Sequence, residues 1–218
     1  MEGRLDVFPK TAKQKLADLM RRAREDKHAE IEVRFGKIVH TPRYRFDTDI
    51  GKRAIKHIVV LLSLFQKWKD KSRIESTDAF YTHANGRRFR VTITPSGEKI
   101  AVEKIKRECV DIELPNMPFD IRVAYSSEIP ATVDEACAGV VPGDVYVRKK
   151  RRDRFNSRDM FYYDATKIKT ESEPGFEDPR YEFEIEMDKI KFYVDNRGVK
   201  TAVDSLLLKA LDIQKMFM

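Results

Sequence analysis

Apolar and polar residues recur along this chain with two different periods. In three stretches the apolar positions are three or four residues apart, which predicts helices at residues 11–27, 49–69 and 199–217. Elsewhere they alternate with polar positions, which is typical of strands with one buried face. The alternation predicts eight strands, near residues 28–38, 73–82, 87–94, 98–108, 119–129, 144–155, 160–170 and 180–188.

The short gaps between these strands favour antiparallel neighbours. Thr94-Pro95-Ser96-Gly97, for example, reads as a turn between two of them, and the acidic stretch at 171–180 reads as a loop. Strands in succession with flanking helices indicate an α+β fold. About eight strands can close into a barrel whose narrow interior is filled by side chains or holds one small ligand. We expect a single domain over residues 1–218.

Two predicted strands carry carboxylates along one face. Residues 30–35 read Glu-Ile-Glu-Val-Arg-Phe and residues 181–187 read Tyr-Glu-Phe-Glu-Ile-Glu-Met, so the glutamates share one face and the apolar residues share the other. Like charges along one face repel each other. This arrangement indicates that a divalent cation, or a row of Lys and Arg, lies among the glutamates.

A third strand carries the opposite charge. Its even-numbered residues from 148 to 154 are Arg148, Lys150, Arg152 and Arg154, which share one face. Shorter alternating sets occur earlier, at Arg88 and Arg90 and at Lys104 and Lys106. Each strand alone could simply have one solvated face. Together, acidic and basic strands indicate a polar interior suited to a polyphosphate, whose charge Arg and Lys neutralise while carboxylates hold a metal ion.

Composition limits the classes of partner. The formal net charge is +7, the pI is about 9.3 and 36% of residues are charged, which fits an anionic partner such as nucleic acid or a nucleotide, or a well-solvated basic surface. Cys109 and Cys137 lack the spacing of a disulfide framework or a zinc site. The longest apolar run, 58–62, is too short to span a bilayer. We therefore expect an intracellular protein without a membrane segment.

Four motifs resemble those of the triphosphate tunnel metalloenzymes, and they occur along the chain in the family's order. The stretch Glu30-Ile-Glu32-Val-Arg34 resembles their first-strand Glu-x-Glu-x-Lys/Arg motif, and Glu182-Phe-Glu184-Ile-Glu186 resembles their late Glu-x-Glu-x-Glu strand. Between them, residues 150–155 resemble the Lys-x-Arg-x-x-Phe strand, and residues 162–166 resemble the following Arg-x-Asp-x-Thr strand. Residues 89–92 and 120–130 add to the likeness to one branch, the metal-dependent RNA 5′-triphosphatases of fungal, protozoan and large-DNA-virus mRNA capping.

The resemblance implies an eight-stranded antiparallel β-barrel, the triphosphate tunnel, with flanking helices. It implies an enzyme that uses Mg or Mn to hydrolyse the γ-phosphate of 5′-triphosphate RNA, giving 5′-diphosphate RNA in the first step of capping, and that also hydrolyses nucleoside triphosphates with Mn. A guanylyltransferase domain or subunit is the implied partner, and the chain would then be the N-terminal part of a longer enzyme or a separate subunit. The implied location is cytoplasmic or nuclear, or the viral factory or virion if the source is a virus.

The resemblance also implies roles for individual residues. The metal ligands would be Glu30, Glu32 and Glu186. Glu184 would orient the attacking water, and Glu182 would pair with the cationic wall. The triphosphate would be held by Arg90, Lys104, Lys150 and Arg152, with Lys106 as an alternative to Lys104. Supporting residues would be Glu128, Asp164, Thr166, Arg154 and Arg34.

One position departs from the family pattern, and two other functions stay open. Tyr162 stands where the family usually has Arg, and a phenol carries no positive charge, so either a neighbour such as Arg154 or Arg158 compensates or the site is tuned differently. The wider superfamily includes inorganic tripolyphosphatases, thiamine triphosphatases and class IV-like adenylyl cyclases. A non-catalytic RNA-binding module is the other alternative, because the aromatic residues at 155 and 161–163 could stack on bases.

Overall fold

A computed structural model of the chain describes residues 2–158, 160–171 and 178–218, so most of the acidic loop predicted at 171–180 lies outside the described residues. The α-helices are α1 (Lys10–Glu25), α2 (Gly51–Leu64), α3 (Val133–Cys137), α4 (Ile190–Arg197) and α5 (Val199–Gln214). The strands are β1 (Ala29–Val39), β2 (Arg45–Asp47), β3 (Asp70–His83), β4 (Arg88–Ile93), β5 (Lys99–Ile112), β6 (Asp120–Ala131), β7 (Val140–Asn156), β8 (Phe161–Glu171) and β9 (Arg180–Met187). Short 3-10 helices lie at Glu2–Leu5 and Lys215–Phe217.

Eight strands close into an antiparallel barrel, which confirms the predicted fold. The strand order around the barrel is β1-β6-β5-β4-β3-β7-β8-β9, and β9 pairs with β1 to close it. All of these pairings are antiparallel. Strand β2, which pairs with the end of β1 beside the barrel, was not predicted. It spans only three residues, and a strand of that length is too short to show an alternating pattern.

The hydrophobic core lies outside the barrel, between its wall and the helices. Helix α1 buries Leu16, Leu19 and Met20 completely, and these pack against the outward face of β1, including Ile31 and Val33. Burying such side chains contributes roughly 1.5–3 kcal/mol each. The same cluster includes residues of α2, α4 and α5 and the outward faces of β6, β8 and β9. The inward faces are therefore left for the charged residues.

Helix α2 ends earlier than the sequence pattern predicted. The prediction extended to residue 69, whereas the helix ends at Leu64 and Phe65 is already extended. The chain turns back here because the Trp68 ring packs against Phe155 and Tyr163, and its Nε1 donates to the Leu62 carbonyl oxygen at 2.7 Å. A tertiary contact therefore overrides the local helical pattern.

Two short helices were not predicted. In α3, the Thr132 side chain accepts a hydrogen bond from the Glu135 backbone N–H, which is a helix-capping pattern readable from sequence. Helix α4 has no amphipathic stripe, and Gly198, at φ +81°, separates it from α5. Within the described ranges, no helix is both long and apolar enough to cross a membrane.

Candidate active site

The strand register brings the two glutamate strands together. Strand β9 pairs with β1 so that Glu186 lies opposite Glu32 and Glu184 lies opposite Arg34. Residues directly opposed across an antiparallel pair have Cβ atoms about 4.5–5.5 Å apart. All of the predicted metal ligands line one cavity of about 650 Å³ inside the barrel, namely Glu30, Glu32 and Glu186.

The environment divides these three carboxylates into two kinds. Burial raises the pKa of Glu32 to about 7, and the nearby charges of Glu184 and Glu30 add to the effect against the attraction of Arg34. Burial and the charge of Glu30 raise the pKa of Glu186 to about 8. Burial also disfavours the charged form of Glu30, but Lys104 and a Ser126 hydrogen bond lower its pKa to about 2. Two of the three carboxylates thus lack sufficient positive charge around them.

Glu184 and Glu182 lie on the same inward face of β9 and have different partners. The Nε of Arg34 lies 2.9 Å from Glu184 Oε1, and Arg34 also pairs with Glu32 at 2.8 Å. Burial disfavours the charged form of Glu184, but Arg34, Arg152 and Lys150 together lower its pKa. Glu182 accepts a 2.7 Å hydrogen bond from the Thr48 hydroxyl, and among the described residues it makes no ion pair with a cation of the opposite wall.

Glu128 on β6 holds two of the predicted triphosphate-binding cations. Arg90 Nη2 donates to Glu128 Oε2 at 2.7 Å, and Lys104 Nζ donates to Glu128 Oε1 at 2.9 Å. Lys104 also donates to Glu30 at 2.5 Å, so it links the acidic and basic walls. Between Lys104 and Lys106, which the sequence left as alternatives, only Lys104 makes these contacts; Lys106 is exposed toward one end of the tunnel.

Lys150 depends on a carboxylate that the sequence analysis missed. Its Nζ lies 2.7 Å from Asp78 Oδ2, and both side chains are largely buried. Burial lowers the pKa of Lys150, and the charge of Asp78 opposes this change. The Thr92 hydroxyl also donates to Asp78 at 2.9 Å. Asp78 is a single carboxylate on β3 without a motif around it, so only its inward position on the alternating strand could have indicated its role.

Asp164 is the second buried anchor of the basic wall. Arg154 donates to it through two nitrogens, at 2.8 and 2.6 Å, and Arg152 Nη1 lies 3.1 Å away. Arg154 also reaches Glu186 at 3.3 Å and lies 4.5 Å over the Tyr162 ring. Arg154, rather than the exposed Arg158, therefore supplies the charge beside Tyr162.

Thr166 has a different environment from the charged residues. It lies on the inward face of β8 and is buried, with its hydroxyl oxygen lacking a hydrogen-bond partner within the described part of the chain. It lines the same cavity as Arg152 and Glu182. A buried hydroxyl in this position is available to a ligand in the tunnel.

The resemblance described above implies a divalent cation; the three glutamates fit one in residue type and line one cavity. Carboxylate oxygens are the donors that Mg²⁺ and Mn²⁺ prefer, and the raised pKa values of Glu32 and Glu186 mark a place where positive charge is needed. Within residues 2–158, 160–171 and 178–218, no three His, Cys, Asp or Glu side chains are gathered as ready ligands. Because Glu30 is bonded to Lys104, it would have to turn from that lysine to join a metal site.

This closed antiparallel barrel, charged inside and apolar outside, has the triphosphate tunnel fold. The family model described as "mRNA capping enzyme, beta chain" matches residues 43–211. The chain therefore belongs to the mRNA capping enzyme beta chain family. The matched segment begins after β1, so Glu30 and Glu32 lie outside it.

Solved structures show the same fold. The S. pombe RNA triphosphatase Pct1 matches with a TM-score of 0.75 and 19% identity, over 95% of this chain and 93% of Pct1. Pct1 in complex with the Spt5 CTD gives a TM-score of 0.74 at 20% identity, over 95% of this chain and 94% of the other. The RNA triphosphatase domain of a trifunctional mimivirus capping enzyme matches with a TM-score of 0.70 and 15% identity, over 97% of this chain and 98% of that domain. No curated protein sequence matches the chain.

Proposed function

We propose that this protein is a divalent-metal-dependent RNA 5′-triphosphatase that releases the γ-phosphate from triphosphate-ended RNA in the first step of mRNA capping. The observation that carries this proposal is the pair of opposed charged walls in one cavity. Glutamates of β1 and β9 face that cavity on one side, and cations of β4, β5 and β7 face it on the other. Membership of the mRNA capping enzyme beta chain family supports the same activity.

The basic wall is arranged to exchange its partners for phosphate oxygens. Arg90, Lys104, Lys150 and Arg152 each already pair with a carboxylate of the protein, which holds each cation in place. Arg side chains can also bind phosphate oxygens through two N–H groups at once. Charge stabilisation and positioning do most of the work in phosphoryl transfer. These four cations would therefore hold the triphosphate before and during the reaction.

In this proposal Glu184 would act on the attacking water. Its ion pair with Arg34 keeps the carboxylate ionised, so it can accept a hydrogen bond from a water molecule and align it with the γ-phosphorus. The water oxygen forms a bond to phosphorus while the bond to the β–γ bridging oxygen breaks. The water proton passes to Glu184, and the products are orthophosphate and RNA with a 5′-diphosphate. A bound cation at Glu30, Glu32 and Glu186 would supply further neutralisation of the phosphate charge.

Substrate preference tests the proposal. Purified protein is given triphosphate-ended RNA, ATP or inorganic tripolyphosphate, with Mn²⁺ or Mg²⁺ and with EDTA, and released orthophosphate is measured. We expect release from RNA, release from ATP with Mn²⁺, and no release with EDTA. Glu184→Gln should lower the rate at least about 100-fold. The matched control is Glu108→Gln, which changes a carboxylate paired with Arg22 outside the tunnel and should leave the rate unchanged.

The other outcomes identify the alternatives. Release from tripolyphosphate without release from RNA would contradict the proposal and favour a tripolyphosphatase. Binding of RNA without release from any substrate would favour a non-catalytic RNA-binding module. We also propose that the protein works inside the cell with a guanylyltransferase domain or subunit, because a 5′-diphosphate end is the product that guanylyl transfer must consume. Co-purification of guanylyltransferase activity from the source cells would test this partnership.

A further inference from the structure

The tunnel has two chemically different ends. The central cavity continues into a second cavity of about 480 Å³, and Glu32, Arg34 and Arg90 line both. The register of the strands places Phe80, Tyr146 and Arg88 toward the end occupied by this second cavity. We call this end the aromatic mouth and define it by Phe80 and Tyr146, which line both cavities, by Arg88 and Lys106, which line the second cavity, and by Arg148, which lines the central cavity beside the two rings.

Two aromatic rings form a platform at the aromatic mouth. Phe80 and Tyr146 are directly paired across β3 and β7, and their rings stack with centroids 4.7 Å apart and planes 13° apart. The Arg148 guanidinium lies 4.9 Å from the Tyr146 centroid and 5.4 Å from the Phe80 centroid. Tyr146 is still 39% exposed. A partly exposed aromatic ring beside an Arg side chain is the kind of surface on which nucleic acid bases stack.

The cations of the aromatic mouth differ from those of the central cavity in their partners. Within the part of the chain that the structure describes, Arg88, Lys106 and Arg148 make no ion pair, and Arg148 Nε is buried without a hydrogen-bond partner. The cations of the central cavity, such as Arg90 and Lys150, are paired. The protein therefore leaves unneutralised charge at this mouth, where an RNA backbone would supply the missing anions.

The opposite end of the tunnel offers a different surface. Its lining includes Ile74 and Ile100, which are 39% and 51% exposed, and the carboxylate of Glu75. Tyr162 lines neither of the two cavities, and its hydroxyl donates to Asp188 at 3.2 Å. Aliphatic side chains cannot stack with a base as a ring does, and the cations near Ile74, Arg152 and Arg154, are already paired with Asp164. The two ends therefore differ both in stacking surface and in charge.

We propose that the aromatic mouth binds the first nucleoside of the RNA, with its base stacked on Tyr146 and the phosphate on its 3′ side contacted by Arg88 and Arg148. This assignment rests on the proposed function, since it orients the RNA relative to the triphosphate in the central cavity. The assignment adds a subsite for a nucleoside and gives the direction in which the RNA leaves the tunnel, past β3 and β7. The end lined by Ile74 and Ile100 is then free of RNA.

Photo-crosslinking tests this subsite without depending on turnover. Triphosphate-ended RNA with 4-thiouridine as its first nucleotide is bound in EDTA, irradiated and digested, and the modified peptide is identified by mass spectrometry. We expect the adduct on the peptide that contains Tyr146. An adduct on the peptides that contain Ile74 or Ile100 would overturn the proposal, as would crosslinking that Tyr146→Ala leaves unchanged in yield and position.

Kinetics provide the second arm of the test. Tyr146→Ala should raise the KM for RNA by about 5- to 100-fold, the range expected for one stacked base, and leave the KM for tripolyphosphate unchanged because that substrate has no base. Tyr146→Phe retains a ring and should behave like the parent, and Ile100→Ala is the matched control at the opposite end. Equal effects on RNA and tripolyphosphate would contradict the subsite. If the parent releases no phosphate from any substrate, the proposed function fails while the crosslink still reports on the subsite.

Discussion

Asp164 anchors one side of the basic wall, and its replacement by Asn gives a measurable prediction. Its side chain is 2% exposed and receives three contacts of 3.1 Å or less from Arg152 and Arg154. Asp164→Asn keeps the size of the side chain but removes the negative charge. It also places an NH₂ group where an oxygen accepted hydrogen bonds, so two half-buried guanidinium groups lose their shared partner.

The size of the effect follows from the burial of the pair. Removing one partner from a buried ion pair costs about 3–5 kcal/mol, because the remaining charge is left uncompensated. For a chain of this length, each kcal/mol shifts the melting temperature by about 2–4 °C. We therefore expect Asp164→Asn to lower the melting temperature by about 6–20 °C. A total stability of roughly 5–15 kcal/mol leaves enough for the variant to fold at low temperature.

Thermal unfolding followed by circular dichroism, with and without tripolyphosphate, measures this effect. The polyanion should raise the melting temperature of Asp164→Asn more than that of the parent, because it replaces the missing counter-charge. Asp153→Asn is the matched control on the outer face of β7: its partner Arg73 is 62% exposed, so this pair is worth about 0–1 kcal/mol. If Asp164→Asn melts within about 2 °C of this control, the reasoning about the buried anchor is refuted.

Three further predictions concern stability outside the tunnel. Burial disfavours the charged form of Asp26, but a Ser127 hydrogen bond lowers the pKa of this carboxyl in the folded protein. Asp26 therefore stabilises the fold fully above its ordinary pKa of about 4, and this contribution is lost as pH falls through the lower folded-state pKa. In urea unfolding, Asp26→Asn should be less stable than the parent at neutral pH, and the difference in the free energy of unfolding should close in acid. Gly36→Ala would place a Cβ atom 2.0 Å from the Asp47 carbonyl oxygen and should cost about 1–3 kcal/mol in the same assay, whereas unchanged stability would show that the strand end can shift. Leu207→Ala, at a fully buried position of α5, should cost about 2–5 kcal/mol, and a loss below about 1 kcal/mol would contradict the packing described.

The barrel could be predicted from sequence because its two faces differ so strongly. In strands such as β1 and β9, charged residues point inward and apolar residues point outward, so the period of two was clear along each. The end of α2 could not be predicted in the same way. It depends on Trp68 packing against Phe155 and Tyr163, which are about 90 residues away along the chain.

The candidate site was predictable in its residue types and less so in its pairings. The family resemblance implied that Glu128 and Asp164 support the cations, and in the structure Glu128 pairs with Arg90 and Asp164 with Arg154. The sequence could not show that Asp78 would meet Lys150, or that Thr48 would reach Glu182, because such contacts depend on the tilt and register of strands that are distant in sequence. It also gave no role to Tyr146, whose position at one mouth is visible only once the barrel is closed.

The placement of the core outside the barrel makes the two halves of the wall unequal in rigidity. Strands β1 and β9 lie against the large cluster formed with the helices, whereas β4 contributes Phe89 and Val91 to a small cluster with Ala136 of α3. Local opening is easiest where few apolar contacts support the backbone. Amide hydrogens of β4 should therefore exchange with solvent sooner than those of β1 and β9. The glutamate strands would stay fixed, and the side of the tunnel that holds Arg90 would be the first part of the closed wall to open and reclose.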